Sequence, residues 1–225
     1  MKILNKDKII YKFSPDNQPV YFVEDGETFW IETDDCYSGQ IRTEKDLRPN
    51  IDVSIMDAAV GPINVSNATP NDILCVDILD IQFASQGVMV TSKCLGVLGH
   101  RIEKADTKVI KIENGYAHFS ESIKLPLTPM IGVMGVTPKA GDSHCAVPGD
   151  FGGNMDTKEL KIGTKVYLPI FIDGAGLAIS DLHACMGDGE LSGTGIETAG
   201  KVLVKVSVIK DKHIDRPILE LKDEI

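Results

Sequence analysis

The run Lys201-Val-Leu-Val-Lys-Val-Ser-Val-Ile-Lys210 decides the fold class. Val202, Val204, Val206 and Val208 fall on one face of a period-two pattern and Lys205 and Ser207 on the other, as in a half-buried β-strand. Outward from this run, 21 glycines and 11 prolines punctuate short stretches rich in Val, Ile, Tyr and Phe, and a helical period is hard to find. Further extended runs are Ile9–Phe13, Thr28–Thr33, Ile73–Gln82, Val88–Thr91 and Val166–Ile172. Asn114-Gly115 separates two more, Thr107–Glu113 and Tyr116–Phe119, and tolerates the positive φ angles of a tight hairpin turn. The segment Arg42–Ala59 lacks alternation, and a short helical turn capped by Thr43 is expected over Thr43–Leu47. Such spacing favours a sandwich or a barrel.

Composition narrows the class. With 43% hydrophobic and 25% charged residues, both signs spread along 225 positions, the chain is long enough to bury a core without disulfide staples. A formal net charge of −10 argues against nucleic acid as a partner, because phosphate recognition needs a basic surface. The opening Met1-Lys-Ile-Leu-Asn-Lys-Asp-Lys8 is too charged for a signal peptide, and no apolar run reaches membrane-spanning length, so a cytoplasmic location with no membrane partner is expected. The five cysteines contain no C-x-x-C pair and read as reduced thiols, mostly small core residues.

Chemistry concentrates in Asp181-Leu-His183-Ala-Cys-Met-Gly-Asp188-Gly-Glu190. On extended backbone Asp181 and His183 project to one face, and Gly187 and Gly189 permit a turn that brings Asp188 and Glu190 back toward them. An isolated D-x-H more often marks a solvated acidic turn beside a satisfied histidine. The density of ionisable groups here favours a site for a divalent metal: carboxylates with an imidazole suit zinc, which is the first expectation, and an oxygen-only subset suits calcium or magnesium, the residues alone not choosing among them. A second concentration, Pro148-Gly149-Asp150-Phe151-Gly152-Gly153-Asn154-Met155-Asp156, has glycine pairs that allow close backbone approach, and reads equally well as a surface turn. In Glu32-Thr-Asp34-Asp35-Cys36 acidic residues close an aromatic strand at a place suited to a cleft, without indicating which aspartate points inward. His100, His118, His144 and His213 are left out of the site. Cys145 and Cys185, each near a histidine in sequence, raise a minor thiol-nucleophile alternative.

Taken in order, Pro129-Met-Ile-Gly-Val-Met-Gly-Val-Thr-Pro138, the Pro148–Asp156 stretch, Leu168-Pro-Ile-Phe-Ile-Asp-Gly-Ala175, Asp181-Leu-His183 and Gly187-Asp-Gly-Glu190 resemble the acetamidase/formamidase family from about Glu32 to Lys210. The resemblance implies a β-sandwich core, a homo-oligomer (dimer or tetramer), a divalent metal and hydrolysis of short linear amides to a carboxylate and ammonia. It carries over the acidic position after the early strand to Asp35, the Gly-Gly-Asn-x-Asp element to Asn154 and Asp156, and the two later elements to Asp181, His183, Asp188 and Glu190. Two departures stand out: characterised members usually continue beyond Leu221-Lys-Asp-Glu-Ile225, and His144-Cys145 occupies a loop where plainer residues are expected.

The expectations are therefore an all-β, mostly antiparallel chain, residues 1–225 as one unit with a possible subdivision near 123–130. A β-sandwich or jelly-roll-like core should carry a second, small β-barrel-like part and little helix. Asp35, Asp181, His183 and Asp156 are the candidate metal ligands. Glu190 is the candidate general base, Asp188 its orienting partner or a further ligand, and Asn154 a candidate oxyanion donor. The competing expectations are a non-catalytic metal- or ligand-binding β module, and a hydrolase of another C–N bond such as a lactam.

Overall fold

The computed structural model describes residues 2–221; Met1 and residues 222–225, most of the Leu221–Ile225 end, lie outside them. In strand Gly200–Ile209 the valine stripe does what its spacing predicts: Val202, Val204 and Val206 are fully buried and Lys205 is exposed. The strand lies between Thr28–Thr33 and Ile73–Phe83, antiparallel to both. Ile3–Leu4, Lys165–Pro169 and Ile218–Glu220 complete a six-stranded sheet. Opposite Leu203 and Val204 the register shifts by one residue, which leaves Leu79 without a partner on the neighbouring strand and exposed.

The second sheet has 11 strands. Its main path runs Lys124–Pro126, Tyr116–His118, Asp106–Glu113, Gln86–Thr91, Glu197–Thr198, Ala175–His183, Met130–Gly135 and Gly152–Asn154. Ala59–Val65 also pairs with Ala175–His183 and carries the short strands Ile9–Ile10 and Tyr21–Val23. Phe29, Ile31, Val202 and Val204 of the first sheet share one buried cluster with Val60, Ile63, Leu177 and Ile179 of the second, which makes the fold a sandwich. Smaller clusters centred on Tyr37, Ile41 and Val90 and on Ile110, Ala117 and Ile196 pack on the outer strands of the larger sheet.

The expected hairpin is present, with Asn114 at φ 52° and Gly115 at φ 80° between Glu113 and its partner Tyr116. The helical turn expected at Thr43–Leu47 is instead a tight turn. Asp46 Oδ2 accepts hydrogen bonds from Arg42 N, Thr43 N and Thr43 Oγ1, so the carboxylate competes with helical pairing. Single 3-10 turns follow at Arg48–Asn50, opened by Pro49, and at Val53–Ile55. Three strands escape a period-two search: Ala59–Val65, Met130–Gly135 and Ala175–His183 are buried on both faces almost throughout. Lys124–Pro126, within the stretch 123–130 considered as a boundary, and Met130–Gly135, which begins at its end, both belong to the larger sheet. Among the described residues no helix is long and apolar enough to cross a membrane.

Candidate metal centre

The central strand Ala175–His183 ends in the site. Asp181 is buried with φ 61°, and the ladder to Met130–Gly135 is interrupted there, Ile131 pairing with Leu182 and Val133 with Ser180. Gly132 faces the interruption. A Cβ at this position would lie 2.3 Å from Asp181 Oδ2 and 2.7 Å from Asp156 Oδ1, so the missing side chain is the space the two carboxylates occupy. Asp156 follows strand Gly152–Asn154 and donates its N–H to the Gly132 carbonyl at 3.3 Å, with φ 38°.

Strand pairing supplies another carboxylate. Register sets His183 opposite Glu197, and side chains directly opposite each other on paired strands share a face. His183 Nε2 lies 2.9 Å from Glu197 Oε2, 3.3 Å from Asp181 Oδ1 and 3.9 Å from Asp156 Oδ1. The other Glu197 oxygen is held by Gly195 N at 2.8 Å and Thr194 Oγ1 at 3.0 Å. Tyr37 Oη donates to Thr194 Oγ1 at 3.3 Å, and Gly195 lies so close to the His183 ring that a Cβ there would be 2.9 Å from Nδ1.

These groups wall a cavity of about 120 Å³ that Cys36, Arg48, Asp57, Asn154 and Glu190 also line. Three overlapping donor sets have their ligand atoms within 4.8 Å of one another: Asp156, Asp181 and His183; His183, Glu190 and Glu197; Cys36, Asp181 and Glu197. Among the described residues six buried side-chain polar atoms lack a hydrogen-bond partner, and five belong here: Asn154 Oδ1, Asp156 Oδ1, His183 Nδ1, and Asp181 Oδ1 and Glu197 Oε2, which face His183 Nε2 at 3.3 and 2.9 Å without the alignment of a hydrogen bond. Stranded buried acceptors are costly, and a divalent cation facing them would satisfy several at once, so the residues fit such an ion.

Crowding shows in the acidities. Burial, and then the neighbouring carboxylates, pushes Asp57 up to about 8 and Glu190 up to about 7. Burial and Asp181 raise Asp156 to about 6, and burial raises Asp181 to about 6 against the pull of His183. For His183 burial opposes the charged form, yet Glu197 and Asp181 beside it hold the imidazole well above its ordinary value. Backbone strain gathers here too. Of ten non-glycine residues with positive φ among those described, Asp57, Asp156, Asp181 and Glu190 all line this cavity.

Of the residues expected from sequence, the fold brings together Asn154, Asp156, Asp181, His183 and Glu190. Asp35 is buried beside the cavity but turned away, accepting from Gly39 N at 3.0 Å and facing Arg42 Nη1 at 3.2 Å. Asp188 points into solvent and pairs with Lys158 at 2.7 Å. The sequence reading missed Glu197, Asp57, Cys36 and Arg48. Gly193-Thr-Gly-Ile-Glu197 carried the signal for the first, glycines spaced around an acid as in Gly187–Glu190. The thiols offer no ready nucleophile: burial pushes Cys145 up to about 12 and raises Cys36 and Cys185, while Cys145 packs in the main core.

Residues 2–141 and 139–224 match the model of the acetamidase/formamidase family. The chain superposes with a TM-score of 0.96 on the structure of a predicted acetamidase/formamidase from Thermoanaerobacter tengcongensis, 44% identical, covering 98% of this chain and 73% of that one. An acetamidase from Bacillus halodurans is 41% identical with a TM-score of 0.95, covering 97% of this chain and 74% of that one. A formamidase from Methylophilus methylotrophus is 27% identical over 89% of this chain, which spans 64% of that relative. Two other curated relatives are spanned to 64% and 65%. The chain belongs to the acetamidase/formamidase family.

Proposed function

We propose that this site hydrolyses short linear amides, formamide- or acetamide-like, to a carboxylate and ammonia, with a divalent cation held by Asp156, Asp181, His183 and Glu197. The observation that carries the reading is the set of unpartnered buried acceptors around His183 in a chain of this family. Zinc is the first choice for three carboxylates and an imidazole, with calcium the alternative. When bound, the cation supplies a Lewis acid that polarises a carbonyl and makes water a better nucleophile near neutral pH.

The chain's own residues do the rest. Glu190, within reach of His183 and Glu197, takes a proton from the attacking water and returns it to the departing nitrogen. Overall a C–O bond forms, the C–N bond breaks, and the two water protons end on ammonia and the nascent acid, which then ionises. Asn154, which lines the cavity, donates its side-chain N–H to the developing oxyanion in this reading. Asp35 acts from outside the cavity, fixing Arg42 and the turn at Gly39. A cytoplasmic homo-oligomer, dimer or tetramer, accompanies this reading.

Ammonia release from formamide and acetamide, before chelation, after it and after zinc is restored, tests the reaction. Activity should vanish and return with the metal. Glu190→Gln should keep its metal and lose about 10²–10⁴-fold in kcat. Full turnover in that variant removes Glu190 as base, and stoichiometric metal without turnover of any amide favours a binding module.

A further inference from the structure

Beside the carboxylate cavity lies a larger one of about 580 Å³, walled by Met89, Phe119, Leu125, Met186, Leu191 and Ile196. The two share Glu190, and the loop from Gly187 to Gly195 lies between them: Gly193 lines the first, Thr194 and Gly195 the second. Thr194 and Gly195 also hold Glu197, so the wall of the apolar cavity is tied to the donor cluster. Its volume is in the range of pockets that enclose small organic ligands. The about 120 Å³ cavity has room for little more than a cation and a reacting amide group.

We propose that this apolar cavity takes the acyl side of the substrate, so that the chain's range extends from acetamide-like substrates to neutral primary amides with an apolar acyl group of several carbons. The proposal rests on the amide-hydrolysis reading above. Charge supports the assignment to a neutral, apolar group. Asp188, already paired with Lys158, and Glu190 are the only ionisable carboxylates in the lining and no Lys or Arg is among the residues described there, so an anionic acyl chain would lose its hydration without gaining a cationic partner. Phe119 is braced from outside by Lys108, whose Nζ lies 4.7 Å from the ring centroid. Hydrolysis proceeds as for the small amides: the acyl carbon gains oxygen from water as its bond to nitrogen breaks, and ammonia leaves with a water proton.

The test is kcat/KM of the zinc-loaded full chain, read by ammonia release, for acetamide, butyramide, hexanamide, phenylacetamide and the anionic succinamate. The value should rise about fourfold per added methylene up to hexanamide. Succinamate should fall at least about tenfold below butyramide. Met89→Trp, which fills the cavity from strand Gln86–Thr91, should lower kcat/KM for hexanamide and phenylacetamide about tenfold or more relative to that for acetamide in the same variant. A flat or falling series, with acetamide turned over, overturns the pocket assignment and leaves amide hydrolysis standing. Should no amide be turned over, saturation-transfer NMR with phenylacetamide reads occupancy alone. A signal lost in Met89→Trp upholds the pocket, and no signal in the unmodified protein overturns it.

Discussion

Gly132 shows how little separates this cluster from an ordinary strand crossing. Its absent side chain leaves the volume that Asp181 Oδ2 and Asp156 Oδ1 fill, and its carbonyl receives the Asp156 N–H. Gly132→Ala is therefore expected to push both carboxylates off their common centre. Zinc affinity, measured by competition with a chelating dye, should fall about 10–100-fold. Thermal unfolding of the metal-free protein should report an overpacking cost of only about 1–3 kcal/mol. Metal affinity unchanged in a folded variant would separate the two carboxylates from the cation. At this scale the sequence was partly legible. Asp181 and His183 do meet, but Asp181 does so at φ 61° rather than on regular extended backbone, so the spacing indicated the right pair through a different local geometry. Asp188 shared that spacing logic with Glu190 but points to solvent, paired with Lys158, while Glu190 lines the cavity. The glycines before Glu197 could have marked it as a candidate, but its meeting with His183 comes through strand register, which that local pattern does not encode.

Among the strands, legibility followed burial. Thr28–Thr33 and Gly200–Ile209 alternate because one face meets the core and the other is partly wetted. Ala175–His183 is buried at all nine positions and Met130–Gly135 at all six, so neither carries an alternation to find, although together they frame the site. The end of the Gly200–Ile209 strand is tied by charge. Asp72 is buried, accepts from Thr69 N at 3.0 Å and from Asp211 N at 3.1 Å, and lies 2.7 Å from Lys210 Nζ. Lys210 above all, aided by those hydrogen bonds and against burial, holds the Asp72 carboxyl well below the usual carboxylate range. Its folded-state acidity is thus greater than in the unfolded chain. The pair's contribution to stability is present above the unfolded value of about 3.9 and is lost as pH falls through the lower, folded one. Urea unfolding of the metal-free protein between neutral and acid pH should show stability dropping below about pH 4, and Asp72→Asn should remove part of that slope. An identical slope in the variant would mean that this ion pair does not set it.

In the whole molecule, two sheets enclose one main apolar core, and the catalytic candidates sit at the end of its most buried strand, where the larger sheet meets the loops around Asp57, Asp156 and Glu190. At that place the carboxylates are buried and crowded, which raises Asp57 and Asp156, and the proposed cation is what would answer their charge. The all-β class could be read from the valine stripe and its neighbours and the sandwich was what the family resemblance implied, whereas the meeting of Glu197 with Asp156, Asp181 and His183 required the topology. The most direct test of the central claim is anomalous diffraction at the zinc edge from crystals of the zinc-loaded protein. A single strong peak within bonding distance of His183 Nε2 and carboxylate oxygens of Asp156, Asp181 and Glu197 is the predicted result. A peak elsewhere, or none in protein shown to hold stoichiometric zinc, would contradict it.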